Sequence, residues 1–193
     1  MSSIGSPLTS VFFNRSTLDV TRELLGMHLV RTLKGKRVSG IITETEAYIG
    51  EKDLACHAKA GITTRTKVMY GPPGHAYVYF TYGMHWMLNT VTQSEGFPAA
   101  VLLRAIQPLD GIEIISSNRK GRDTNGPAKL TQALEINKEL NGIDLCSKDS
   151  GLWIEKGLPF PDESVIIGPR VGLNTVPEPW KSKPWRFQLK QVQ

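Results

Sequence analysis

The chain carries only 2 cysteines, Cys56 and Cys146. They are too far apart for a C-x-x-C pair, so neither a disulfide framework nor a zinc knuckle is indicated. Isolated cysteines of this kind pack as small hydrophobes more often than they react. The 4 histidines, His28, His57, His75 and His85, lack metal-ligand spacing, and no metal site is expected. The H-x-E…P-C-x-x-C pattern of zinc nucleobase deaminases is missing, as is the G-x-S-x-G elbow of the serine hydrolases. Gly121 to Gly126 begins like a phosphate-binding loop, but Pro127 stands where the lysine is required. No apolar run reaches the length of a membrane span, and the first residues do not follow the basic-then-apolar pattern of a leader. Asn14-Arg15-Ser16 matches a glycosylation sequon that has no meaning without secretion. These absences give the expectation of a cytoplasmic protein with no membrane partner.

What is present is compatible with one folded domain. With 193 residues, 40% hydrophobic and 21% charged, the chain is long enough to bury a real core. The expected unit is a single domain over 1–193, with residues 1–11 and 190–193 as flexible termini. A net charge of +5 fits a polyanionic partner, because Lys and Arg neutralise phosphates. Charge alone fits an ordinary basic protein equally well.

Local patterns indicate an α+β fold with a curved, mostly antiparallel sheet and flanking helices. Ser16-Thr17-Leu18-Asp19 can cap a short helix that stops at Gly26. Residues 28–33 and 37–43 form a hairpin around Lys34-Gly35-Lys36. Its second strand delivers Glu44, Glu46 and Tyr48 on one face from its end. Residues 50–68 are irregular, with a helical turn at 53–57. A second, protruding hairpin pairs 77–81 with 85–92 around Gly83. Ala99 to Leu103 suits a strand buried on both faces and ends in Arg104. A helix is expected after Pro108 through Ile115 and another from Pro127. Strands near 151–155, 164–170 and 185–189 complete the sheet.

The candidate chemistry is concentrated between Glu44 and Asn89. Of the 5 tyrosines, Tyr70, Tyr77, Tyr79 and Tyr82 fall in one short window, and the fifth, Tyr48, follows the Glu44-Thr45-Glu46 triplet. Flat π-faces beside a carboxylate, in a basic protein, suit a site that stacks a nucleobase and carries out acid/base chemistry. Glu46 can activate water, although a lone strand glutamate is ordinarily a solvated side chain. Arg104 weighs against that ordinary reading, because an arginine at the end of an apolar run needs an anionic partner. Tyr48, His57 and Tyr79 can wall a flipped base or simply pack in the sheet. Tyr82, at a hairpin tip, is placed to wedge between base steps.

Taken together, several motifs resemble the alkyladenine (3-methyladenine) DNA glycosylase family. They are Glu44-Thr45-Glu46-Ala47-Tyr48, the His57 spacing, Tyr77-Val78-Tyr79…Tyr82-Gly83-Met84, Asn89, and Val101-Leu102-Leu103-Arg104-Ala105. Gly126-Pro127-Ala128-Lys129-Leu130, Ile136-Asn137-Lys138, Arg170-Val171-Gly172 and Lys183-Pro184-Trp185-Arg186-Phe187 continue the match, from about residue 12 to 189. Any one motif is weak; their joint order and spacing are specific. One departure is His85-Trp86 after Met84, which differs from the mammalian relatives.

The resemblance implies a monofunctional DNA glycosylase of base excision repair that needs neither cofactor nor metal. It would act as a monomer on double-stranded DNA containing damaged purines: 3-methyladenine, 7-methylguanine, hypoxanthine and ethenoadenine. It implies Glu46 as the general base, with Arg104 and the backbone carbonyl near Val171 holding the attacking water. Tyr48, His57 and Tyr79 would sandwich the flipped base, Asn89 would border the pocket floor, and Tyr82 would intercalate. Lys129 and Lys138 would reach phosphates. The rival reading is a module that binds nucleic acid by stacking and catalyses nothing; formation of an abasic product separates the two.

Overall fold

The computed structural model describes residues 5–190. Two short helices open it, α1 (Ser10–Phe13) and α2 (Thr17–Glu23). The expected hairpin follows as β1 (His28–Leu33) and β2 (Lys36–Ile49). After an irregular stretch come the second hairpin, β3 (Ala76–Thr81) and β4 (His85–Val91), and the long strand β5 (Ala99–Asp110). Helices α3 (Ile112–Arg119) and α4 (Pro127–Ala133) then lead to three short strands, β6 (Leu152–Glu155), β7 (Val165–Gly168) and β8 (Arg186–Leu189). All strand pairs are antiparallel. The eight strands form one sheet whose main path is β3-β4-β5-β2-β1-β6, with β8 joining β2 and β7 joining β8. The α+β reading therefore holds.

Four local expectations need correction. β2 does not stop before Glu44 but runs on to Ile49, because β5 and β8 pair with its second half. The turn expected at 53–57 is present but shorter, closed by the Cys56 N–H on the Asp53 carbonyl at 2.8 Å, and a separate 3-10 turn follows at His57–Ala60. Pro108 does not start a helix: it lies within β5, opposite Gly40 and next to a register shift, where the missing N–H of proline is tolerated. The helix begins only at Ile112, after Gly111 has taken a left-handed φ of 64°. Ser16 sits at the start of α2 without a side-chain capping bond. Of the terminal segments, residues 1–4 and 191–193 lie outside the described residues. Gly5 donates its N–H to the Lys156 carbonyl and Leu8 to that of Ile154.

Two irregularities on the β2–β5 seam shape the site. The register passes from Ile42↔Ile106 to Glu44↔Ala105 and then to Thr45↔Leu103. Thr43 on β2 and Arg104 on β5 are thus each the extra residue of a bulge, which bends the strands and re-aims side chains. The main core contains the fully buried Phe13, Leu24, Leu29, Leu88, Leu103 and Leu130. Burying each contributes about 1.5–3 kcal/mol, enough to hold an irregular seam in place. A smaller cluster of Cys56, Ala58, Met69, Tyr77, Val91 and Ala100 lies under the aromatic residues.

Candidate active site

The β2–β5 bulge places Arg104 between two carboxylates of the neighbouring strand. Its Nε donates to Glu44 Oε1 at 2.9 Å, and its Nη1 lies 3.3 Å from Glu46 Oε1. Arg186 on β8 reaches the same Glu44 oxygen at 3.1 Å. The arginine that emerges from an apolar run therefore does find anionic partners. Glu46 is completely buried. Its Oε1 accepts the Val171 N–H at 2.7 Å, and its Oε2 accepts the Tyr48 hydroxyl at 2.8 Å.

Burial pushes the Glu46 carboxyl above its ordinary pKa, and Glu44 adds to the effect; Arg104, the Val171 N–H and the Tyr48 hydroxyl oppose it. A carboxylate held this way is a better proton acceptor than a solvated one. Burial and the adjacent Glu46 drive the Tyr48 phenol well above its ordinary value, so Tyr48 stays a hydrogen-bond donor. For Arg104, burial works against the charge, but Glu46 and Glu44 outweigh it.

Tyr48, Arg104 and Val171, the three partners of Glu46, line a cavity of about 350 Å³ together with His57, Tyr79 and Asn89. That volume falls within the range of small-molecule sites, about 300–1,000 Å³. His57 and Tyr79 meet edge to face, with ring centroids 4.6 Å apart. The His57 Nδ1 is 2.9 Å from the Tyr77 hydroxyl. Burial, with help from Arg65 and Lys59, lowers the His57 pKa to about 4, so its ring is neutral at physiological pH. Asn89 is buried, and its side-chain amide donates to the Tyr77 carbonyl at 3.0 Å. It thus satisfies a backbone group while facing the cavity.

Tyr82 stands at the β3–β4 tip beside the cavity, 82% exposed, with a left-handed φ of 51°. A large aromatic held in water on a turn is the arrangement expected of a wedge. Lys129, on α4, pairs with Asp123 at 2.9 Å. Lys138 is exposed in a 3-10 turn at Lys138–Leu140. The structure brings Arg104, Val171, Tyr48, His57, Tyr79, Asn89 and Tyr82 around one cavity; Glu46 lies buried behind it, bonded to the first three, and neither lysine lines it. For Val171, the contact with Glu46 is made by the backbone N–H.

Sequence reasoning missed Tyr77, Arg65 and the buried pair Asp53–Arg170. Tyr77 shares its strand face with Tyr79, so period-two alternation could have found it. Arg65 lies over the Tyr79 ring at 4.8 Å, and no local pattern marks it. Among the described residues, no group of three or more His, Cys, Asp or Glu side chains could hold a metal ion. None of their helices is long and apolar enough to cross a membrane.

The arrangement can hold a flat, aromatic ligand beside a buried carboxylate that is hydrogen-bonded on both oxygens. The family model described as methylpurine-DNA glycosylase matches residues 11–193. A protein of Methanocella arvoryzae named "Putative 3-methyladenine DNA glycosylase" is 49% identical over 184 residues, 93% of this chain and 90% of its own length. Proteins of the same name from Carboxydothermus hydrogenoformans and Myxococcus xanthus are 48% and 44% identical. The first of these alignments covers 93% of both chains, the second 96% of this chain and 91% of the relative. The chain belongs to the methylpurine-DNA glycosylase family, and with it to the DNA-repair hydrolases that act on N-glycosyl bonds.

Proposed function

We propose that the protein is a monofunctional glycosylase that flips damaged purines out of duplex DNA and hydrolyses their N-glycosidic bond with water activated by Glu46. The observation that carries this reading is the buried Glu46 carboxylate, whose three partners all line the aromatic cavity. As the base departs, the sugar gains oxocarbenium character. One anionic carboxylate can stabilise that charge and take the proton of the attacking water. Arg104 keeps Glu46 oriented, and Tyr48, His57 and Tyr79 supply the stacking surfaces for the extruded base.

The substrate class is 3-methyladenine, 7-methylguanine, hypoxanthine and ethenoadenine. Cationic 3-methyladenine already carries a good leaving group, whereas neutral hypoxanthine needs a hydrogen bond or a proton at the departing base. Asn89 borders the pocket floor, Tyr82 fills the gap left by the flipped nucleotide, and Lys129 and Lys138 face phosphates. The enzyme works as a monomer in the cytoplasm and uses no cofactor.

A single reaction tests the proposal. The protein is incubated with a hypoxanthine-containing duplex, and abasic sites are cleaved with alkali. Strand breaks only after alkali are expected, and borohydride should trap no protein–DNA adduct, because among the described residues no lysine lines the cavity to form a Schiff base. Binding without alkali-labile sites would leave only the stacking module. A trapped adduct would remove the monofunctional assignment.

A further inference from the structure

The pair Arg170–Asp53 lies behind the site and is completely buried on both sides. Arg170 Nη1 donates to Asp53 Oδ2 at 2.6 Å, and Nη2 donates to Oδ1 at 2.9 Å. The same two nitrogens also reach the carbonyls of Ala47 at 2.9 Å and Trp180 at 3.1 Å. The guanidinium carbon sits 4.7 Å from the Tyr48 ring centroid and 4.9 Å from that of Trp185. Two buried charges are costly to desolvate, and replacing such a pair by apolar residues of similar volume often leaves a fold equally or more stable. Their placement therefore calls for a reason beyond stability.

The connectivity supplies one. Glu46 receives a hydrogen bond from Tyr48 on one oxygen and from the Val171 N–H on the other. Arg170 backs the ring of the first donor and directly precedes the second in the chain. Asp53, which orients Arg170, also accepts the N–H groups of Ile49 at 3.2 Å and Ala55 at 3.0 Å. It thereby ties down the loop that leads from Tyr48 to His57. We infer that Arg170, locked by Asp53, is a positioning residue that holds both hydrogen-bond donors of Glu46, and the Tyr48 and His57 walls of the base pocket, in register. This inference rests on the reading of Glu46 as the general base.

Arg170→Lys keeps the charge opposite Asp53 but loses the planar fork and its stacking on Tyr48 and Trp185. The Tyr48 hydroxyl and the Val171 N–H both favour the ionised form of Glu46. Loosening them should raise the pH at which Glu46 becomes ionised. The other charged or titratable groups facing it stay in place: Arg104 on β5, Glu44 on β2 with its partner Arg186 on β8, and Tyr79 on β3.

The test is single-turnover excision of hypoxanthine across a pH series, with lesion-duplex binding and thermal melting measured on the same samples. For Arg170→Lys we expect the excision rate constant to fall by on the order of 10- to 100-fold, the scale of a small misplacement of catalytic groups. Its acidic limb should move to higher pH while binding changes little. Trp185→Leu leaves both charges paired and decides the matter if Arg170→Lys does not fold. It should give a several-fold fall, with the limb moving the same way. A folded variant with a wild-type rate, or with a reduced rate and an unmoved acidic limb, overturns the positioning role and leaves the pair merely structural. Glu46→Gln is run alongside. If it excises normally, the general-base reading itself fails; if it is inactive, the outcome for Arg170 stands alone.

Discussion

At the scale of single residues, the role proposed for Glu46 and the stability of the fold make opposite demands. Burial raises its folded pKa above the unfolded value, so the folded state prefers the protonated form. The sign follows from linkage: there is no penalty below the unfolded pKa of about 4.3, where both states are protonated. Stability is then lost as pH rises through the folded pKa and the buried carboxylate ionises. Glu46→Gln, which carries no charge, should therefore melt at a higher temperature than wild type at pH 7, and the gap should close on acidification. Parallel melting curves at pH 4 and 7 check this; a variant that melts lower at pH 7 would mean that Arg104 and the two donors fully compensate the buried charge. Glu46, Tyr48, Arg104 and Tyr82 could be found in the sequence because each stands out from its neighbours in charge or in context. The pairing of Arg170 with Asp53 could not, since 117 positions separate them and only the folded chain brings them together.

At the scale of elements, hairpins were legible and the long strands were not. β1–β2 and β3–β4 announce themselves through Lys34-Gly35 and Tyr82-Gly83, where left-handed backbone is required. The lengths of β2 and β5 depend on pairing between distant segments, which no local pattern encodes. Pro108 misleads for the same reason: its neighbour across the sheet, Gly40, decides its fate. The β3–β4 tip carries its own prediction. Tyr82 contributes little to the core because it is mostly in solvent, so Tyr82→Ser should leave the melting temperature almost unchanged. If the ring fills the gap behind a flipped base, the same change should weaken lesion-duplex binding by up to a few kcal/mol and slow excision, least where the lesion is already mispaired. Wild-type binding and excision by Tyr82→Ser would make the tip a bystander.

At the scale of the whole molecule, one sheet gathers a carboxylate, a guanidinium, three aromatic rings and a backbone N–H from β2, β3, β5 and the loops before β3 and after β7. The net charge of +5 fits a polyanionic partner and an ordinary basic protein equally well; the ordered motifs along nearly the whole chain separate the two. The reaction is the central claim, and it depends on one proton acceptor. The most direct measurement is single-turnover excision from a hypoxanthine duplex, with Glu46→Gln enzyme in excess and its binding to the same duplex measured in parallel. The predicted result is retained binding with an excision rate constant lower by at least on the order of 10²- to 10⁴-fold, the usual contribution of a general base. Excision by Glu46→Gln at close to the wild-type rate would contradict it.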